Sequence, residues 1–247
     1  MISKEALIFQ NRIKSFDEDL ELIDILLIAF KRNDLLKENR VLFKYLDDKK
    51  HLNLINRRAT DQSRRIVLYH LRKTVYSSYI KDLYEELSGY LKALLSKAAK
   101  MAKDKNNARR LLGEHSIKIN AFDILQYDSI DSLASFIAES IIQALENERS
   151  TKELIKKVCN KIDLQINEKL IENAMPYLDL RHKLVHSNGV IDEAFIQKYP
   201  SIKRDKDNNV VLNHALVKSA RKAVSDLVFE IDNKSVEKGL LSENSGN

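Results

Sequence analysis

Apolar residues recur along the start of the chain at alternating steps of four and three: Ile2, Ala6, Phe9, Ile13, Phe16, Leu20, Ile23, Leu27 and Phe30. Such a row lies on one side of an α-helix, which turns once every 3.6 residues. Ser15 with Glu18 could cap a fresh start, but the unbroken period predicts one long helix. Beyond Asp19 the stripe widens to Leu22, Leu26 and Ala29, so this end is expected to be the more deeply buried. A second long stripe has the same rhythm: Ile66, Tyr69, Lys73, Tyr76, Ile80, Leu83, Leu87, Tyr90 and Leu94, with Lys73 its one polar misfit. Thr60 or Asp61 is a plausible N-cap for it, and the pattern lasts to Met101. Gly89 inside it costs about 1 kcal/mol against alanine, which so long a helix absorbs. Both stripes are wider than a narrow coiled-coil seam, so an antiparallel pair or bundle is expected.

The remaining pattern is also helical. A short helix fits Val41–Leu46, and residues 103–118 form a polar connection. Leu133, Phe136, Ile137, Ile141 and Leu145 predict a helix over 129–149. Ser150 with Glu153 forms a capping-box pair opening another through Ile162. The next begins near Asn167 and meets Pro176, which predicts either a kink or a new helix with proline in its first turn. Asn188-Gly189 stops it. Asp192 caps a short helix before Pro200, residues 203–210 read as a polar loop or small hairpin, and a last helix fits 213–232. The expected fold is all-α: an antiparallel helical bundle of long heptad-patterned helices with extra helical insertions. One domain over 1–235 is expected, with 236–247 as a flexible tail.

Composition narrows the classes. The 247 residues include 5 glycines and 2 prolines, where average usage would give roughly 17 and 12. Sandwiches and barrels consume more turn residues than this. The glycines form no cluster that could cradle a phosphate. No apolar run reaches the length of a membrane span, Leu20–Phe30 being interrupted by Glu21 and Asp24. The N-terminus shows no secretory pattern. A lone Cys159 excludes an internal disulfide or a cysteine-rich metal site. A cytoplasmic protein is expected. The net charge is +6, unevenly spread: 16 Lys and Arg face 5 Asp and Glu between Lys49 and Arg110, leaving −5 elsewhere. A basic stretch of this kind suits a polyanion such as RNA, although long helices also use Lys and Arg as solvated surface.

One stretch concentrates chemistry: residues 179–192, DLRHKLVHSNGVID. Arg181, four residues, then His186 matches the R-x4–6-H motif of the HEPN superfamily (higher eukaryotes and prokaryotes nucleotide-binding). His182 fills the polar position that often follows the arginine, and Val185–Asp192 resembles the VH-x-x-G-x-(V/I)-D continuation of several prokaryotic branches. The specific residues span about a dozen positions, inside an all-helical chain with two long antecedent helices. The resemblance implies a metal-independent endoribonuclease. Two protomers would bring their motifs into one composite cleft, in a toxin, phage-defence or RNA-processing role, with an antitoxin or defence partner possible. It assigns catalytic roles to Arg181 and His186, supported by His182, with no cofactor and no metal. Other members only bind nucleotides or proteins, so a non-catalytic module binding RNA, a nucleotide or a protein is the alternative.

The residue chemistry fits. Histidine titrates near neutrality and can move a proton either way. Arginine offers a permanently charged planar fork to phosphate oxygens. Five residues turn about 140° round an ideal helix, so a long arginine, a distorted last turn or a second protomer must bring Arg181 and His186 together. His182 and His186, four apart, share a face and could instead be a metal pair, but Lys183 stands where H-E-x-x-H has its glutamate. A plain polar helix end is the third reading. The expected RNA contacts are Arg57, Arg58, Arg64, Arg65, Arg72, Lys73, Lys183 and Asn188, with Asn188 also serving as a helix stop. Tyr69, Tyr76, Tyr79, Tyr84 and Tyr90 lie on or beside the apolar stripe and read as core before base-stacking platforms. Some HEPN families carry an acidic residue midway along the corresponding helix; Tyr76–Tyr79 holds none, and Asp82 is the nearest.

Overall fold

The computed structural model describes residues 2–32, 61–101, 127–146 and 150–243, together with Leu111 and Ile124. Among the described residues the secondary structure is all-α, with isolated β-bridges and no strand. The helices are α1 (Lys4–Arg32), α2 (Asp61–Met101), α3 (Ile130–Glu146), α4 (Thr151–Lys161), α5 (Glu168–His186), α6 (Glu193–Lys198) and α7 (His214–Glu237). The short helix expected at 41–46 and nearly all of the connection at 103–118 lie outside the described residues. No helix among the described residues is long and apolar enough to cross a membrane.

The two stripes meet. Ala6, Phe9, Ile13, Leu20 and Leu27 of α1 are buried, as are Tyr76, Ile80, Leu83, Leu87, Tyr90 and Leu94 of α2. Their register is antiparallel, because rising positions on α2 meet falling positions on α1. The Tyr76 hydroxyl donates to Asp24 at 3.1 Å and that of Tyr79 to Asp17 at 2.8 Å. Further along, Arg12 pairs with Glu86 at 3.0 Å, and Phe9 packs edge-on against Tyr90. Burial and the neighbouring carboxylate push the Tyr76 hydroxyl up to about 12. Of the residues that widen the α1 stripe, Leu22 and Ala29 have side chains outside the described set, and Leu26 is not buried although Leu27 beside it is. Leu26 is 38% exposed and its neighbours Ile25 and Ile28 more so. Adjacent helical residues point about 100° apart, so a position beside Leu27 leaves the seam that Leu27 fills.

α2 is the central strut. It packs against α1, α3, α5 and α7. α7 runs antiparallel to α1 and parallel to α2: Arg221 pairs with Asp17, while Asp232, about three turns further along, meets Ser3 and Tyr90. Asp232 is fully buried. It accepts from the Ser3 amide at 2.9 Å, the Ser3 hydroxyl at 2.5 Å and the Tyr90 hydroxyl at 3.1 Å. A buried carboxylate is tolerated only when donors replace its water. Ser3 in turn accepts from the Ala6 amide at 3.1 Å, capping the start of α1.

The described part of the expected tail, residues 236–243, is packed. α7 continues to Glu237, Gly239 takes a left-handed turn, and Leu241 is buried. Ser3 and Glu243 then bridge, so residues 236–243 belong to the packed unit. The apolar Leu240–Leu241 pair supplies the anchor that the polar composition of the tail hides. Pro176 neither splits nor opens a helix; it sits inside α5. Its missing donor strands one carbonyl, and buried Ala174, Met175, Leu178 and Leu180 hold the helix together on either side. Cys159 is buried in α4, where desolvation pushes its thiol up to about 12.

Candidate functional site

α4 and α5 form an antiparallel hairpin whose solvent edge is clamped by charge. Lys152 pairs with Glu172 at 3.2 Å and with Glu168 at 3.1 Å, and Lys156 with Glu168 at 2.6 Å. Ser150 caps α4 through the Glu153 amide, as its capping-box spacing requires. An open groove of about 460 Å³ lies between the start of α4, the last turns of α5, Tyr84 of α2 and Phe195 of α6. Arg181, His182, Lys183 and His186 all line it. The five-residue offset between Arg181 and His186 therefore does not prevent them from facing one cavity within a single chain.

The arginine is held from α2. Its Nη2 lies 2.9 Å from Glu85 Oε1, and its guanidinium sits over the Tyr84 ring at 4.6 Å. Its Nε is shielded from solvent and has no acceptor among the described residues. Both histidines are exposed, and their rings lie 4.5 Å apart. Lys183 enters the groove already paired with Asp192 at 2.7 Å. That ammonium, with the Phe195 amide that Asp192 caps, holds the Asp192 carboxyl below the usual carboxylate range. Asp179 is engaged by Lys198 at 3.0 Å and by the Tyr199 hydroxyl. Burial, then that bond, pushes Tyr199 up to about 12.

The acidic residue that meets the motif is Glu85. Asp82 is partly buried, its carboxyl raised by desolvation, and it is not part of the groove. The antiparallel packing of α2 against α5 carries the signal for Glu85, since it sets Tyr84 and Glu85 opposite Arg181. Among the described residues no three His, Cys, Asp or Glu side chains converge as metal ligands.

A second hollow, of about 230 Å³, opens on the other flank of the α5 terminus, and it gathers three of the expected RNA contacts: Arg72, Lys73 and Asn188. Arg64 and Arg65 belong to the first turns of α2, their side chains outside the description, and Arg57 and Arg58 lie outside the described residues. Asn188 and Gly189 both take left-handed backbone, φ +51° and +83°. The Lys183 carbonyl accepts from the Ser187 and Gly189 amides at 3.0 Å, which ends α5. The loop after α6 then doubles back. Asp205 Oδ1 accepts from the Asp207 and Asn209 amides, Arg204 bridges Val210, and the Val210 amide reaches the Gly189 carbonyl at 2.9 Å.

Gly189 is favoured by its backbone, since its φ of +83° disfavours a side chain; a Cβ there would only touch Leu184 and Val210 at 3.4 Å. Gly189→Ala should therefore cost about 1–2 kcal/mol, read as a lower denaturation midpoint at unchanged slope. No family model, no curated protein and no solved structure matches the chain.

Proposed function

We propose that the protein is a metal-independent endoribonuclease of the HEPN type, acting as a homodimer in a toxin or phage-defence role. The observation that carries this reading is the groove in which Arg181, His182 and His186 stand together. Cleavage by the 2′-hydroxyl needs a proton acceptor, a proton donor and a cation beside the phosphorane-like charge. Two adjacent imidazoles can divide the proton transfers, and arginine can take the charge. The Arg181 side chain lines the groove and carries a permanent charge that a phosphate oxygen can meet there. Val185, 43% exposed between the two histidines, gives a second protomer an apolar surface beside the motif. RNA is the substrate, and an antitoxin or defence-system protein is the further partner this role implies.

One observation favours a non-catalytic helical module that binds RNA, a nucleotide or a protein. Glu85 and Tyr84 already hold the guanidinium, which is what a purely structural tether between α2 and α5 would need. Incubating the purified chain with single-stranded RNA in excess EDTA separates the readings. Cleavage leaving 2′,3′-cyclic phosphate or 3′-phosphate ends is expected. Intact RNA, or products with 3′-hydroxyl ends, would overturn the mechanism.

A further inference from the structure

The hollow beside the groove combines three kinds of lining. Leu184, Val210 and Leu212 give it an apolar floor, Arg72 and Lys73 place two cations on α2, and Asn188 and Asn209 bring amides. Neither cation has a carboxylate within ion-pair distance among the described residues, in contrast to Arg181 and Lys183. The one acidic lining residue, Asp205, spends Oδ1 on amides of its own loop. The Asn188 side chain has no hydrogen-bond partner among the described residues. At about 230 Å³ the hollow is smaller than the roughly 300–1,000 Å³ of sites for drug-sized ligands, which suits one planar ring.

The geometry points to a subsite for one unpaired nucleotide of an RNA strand. This rests on the reading that RNA occupies the neighbouring groove. The base would lie on the aliphatic floor with the Arg72 guanidinium available to stack on it. Asn188 and Asn209 would meet its polar edge, and Lys73 a flanking phosphate. Amides can both donate and accept, so they suit a base edge better than a carboxylate-only ligand. The two cavities flank the same last turns of α5. Leu184 and Asn188 line the hollow, while Lys183 and His186 line the groove. On α2, Lys73 and Tyr84 are separated by a rise of about 16 Å, the span of a short run of single strand. A duplex keeps its bases stacked and could not lower one onto this floor.

Val211 gives the test, because it lines the hollow and is 37% exposed, so a polar replacement leaves the core intact. In a His186→Ala background, which keeps the RNA whole, fluorescence anisotropy would compare a labelled single strand, its duplex and a set of single-abasic strands. Val211→Glu and Arg72→Ala should each weaken single-strand binding about tenfold and leave duplex binding unchanged. One abasic position should reproduce that loss and make Val211→Glu silent. Unchanged affinity on Val211→Glu, indifference to every abasic position, or no RNA binding at all would overturn the subsite. Cleavage in EDTA with Val211→Glu silent leaves the ribonuclease reading standing and removes the subsite alone. Binding sensitive to Val211→Glu without cleavage does the reverse.

Discussion

His186→Ala should lower RNA cleavage in EDTA by about 10²–10⁴-fold, the range for removing a positioned general acid or base. The unfolding midpoint should stay where it is. The His186 side chain is exposed and touches His182 alone among the ring contacts, so the substitution opens no cavity. The same change would leave a mere binding module with its affinity intact, which makes cleavage and binding separable in one variant. Arginine needs a gentler probe, because Arg181→Ala would also cut the tether to Glu85 and Tyr84. Arg181→Lys keeps the charge and loses the planar fork. If the fork holds the transferring phosphate, Arg181→Lys lowers cleavage while His182 and His186 remain. If Arg181 only ties α5 to α2, activity follows stability alone.

Periodicity made the long helices legible because one physical fact dominates them. A row of apolar side chains at steps of three and four has a single low-energy use, burial against a like row. Ile80, Leu83 and Leu87 bury as their spacing demands. Capping was equally local, and Ser150 and Asp192 cap their helices as their positions suggest. Failures came where a distant partner decides. Leu26 looks like core by composition, but no helix among the described residues covers that side. Residues 236–247 read as a flexible tail, yet Leu241 finds a buried seat and Glu243 meets Ser3 from the other end of the chain. Lys73, the misfit of the second stripe, is neither core nor bare surface; it edges a hollow whose floor arrives from residues 210–212. The motif at 181–186 was visible as a string, whereas Glu85 depends on how α2 registers against α5.

Asp232→Ala should be the most destabilising single change, at about 3–5 kcal/mol, because it strands buried donors that have no route to water. For a chain this long that corresponds to a fall in melting temperature of roughly 6–20 °C. Differential scanning calorimetry reads it directly. The Ser3 amide, the Ser3 hydroxyl and the Tyr90 hydroxyl all lose their acceptor together. Tyr90→Phe removes only one donor and should cost about 1 kcal/mol. If Asp232→Ala costs no more than Tyr90→Phe, the carboxylate is not the knot that joins α1, α2 and α7. The effect should also stay local. On α2, Tyr90 is about 7 Å along and about 140° round from Glu85, so the knot and the Arg181 tether leave opposite sides of the same helix. Specific activity measured well below the melting transition should therefore match the parent protein. A parallel loss of activity and stability would mean that the groove at the end of α5 is shaped from the far side of the bundle, through α2.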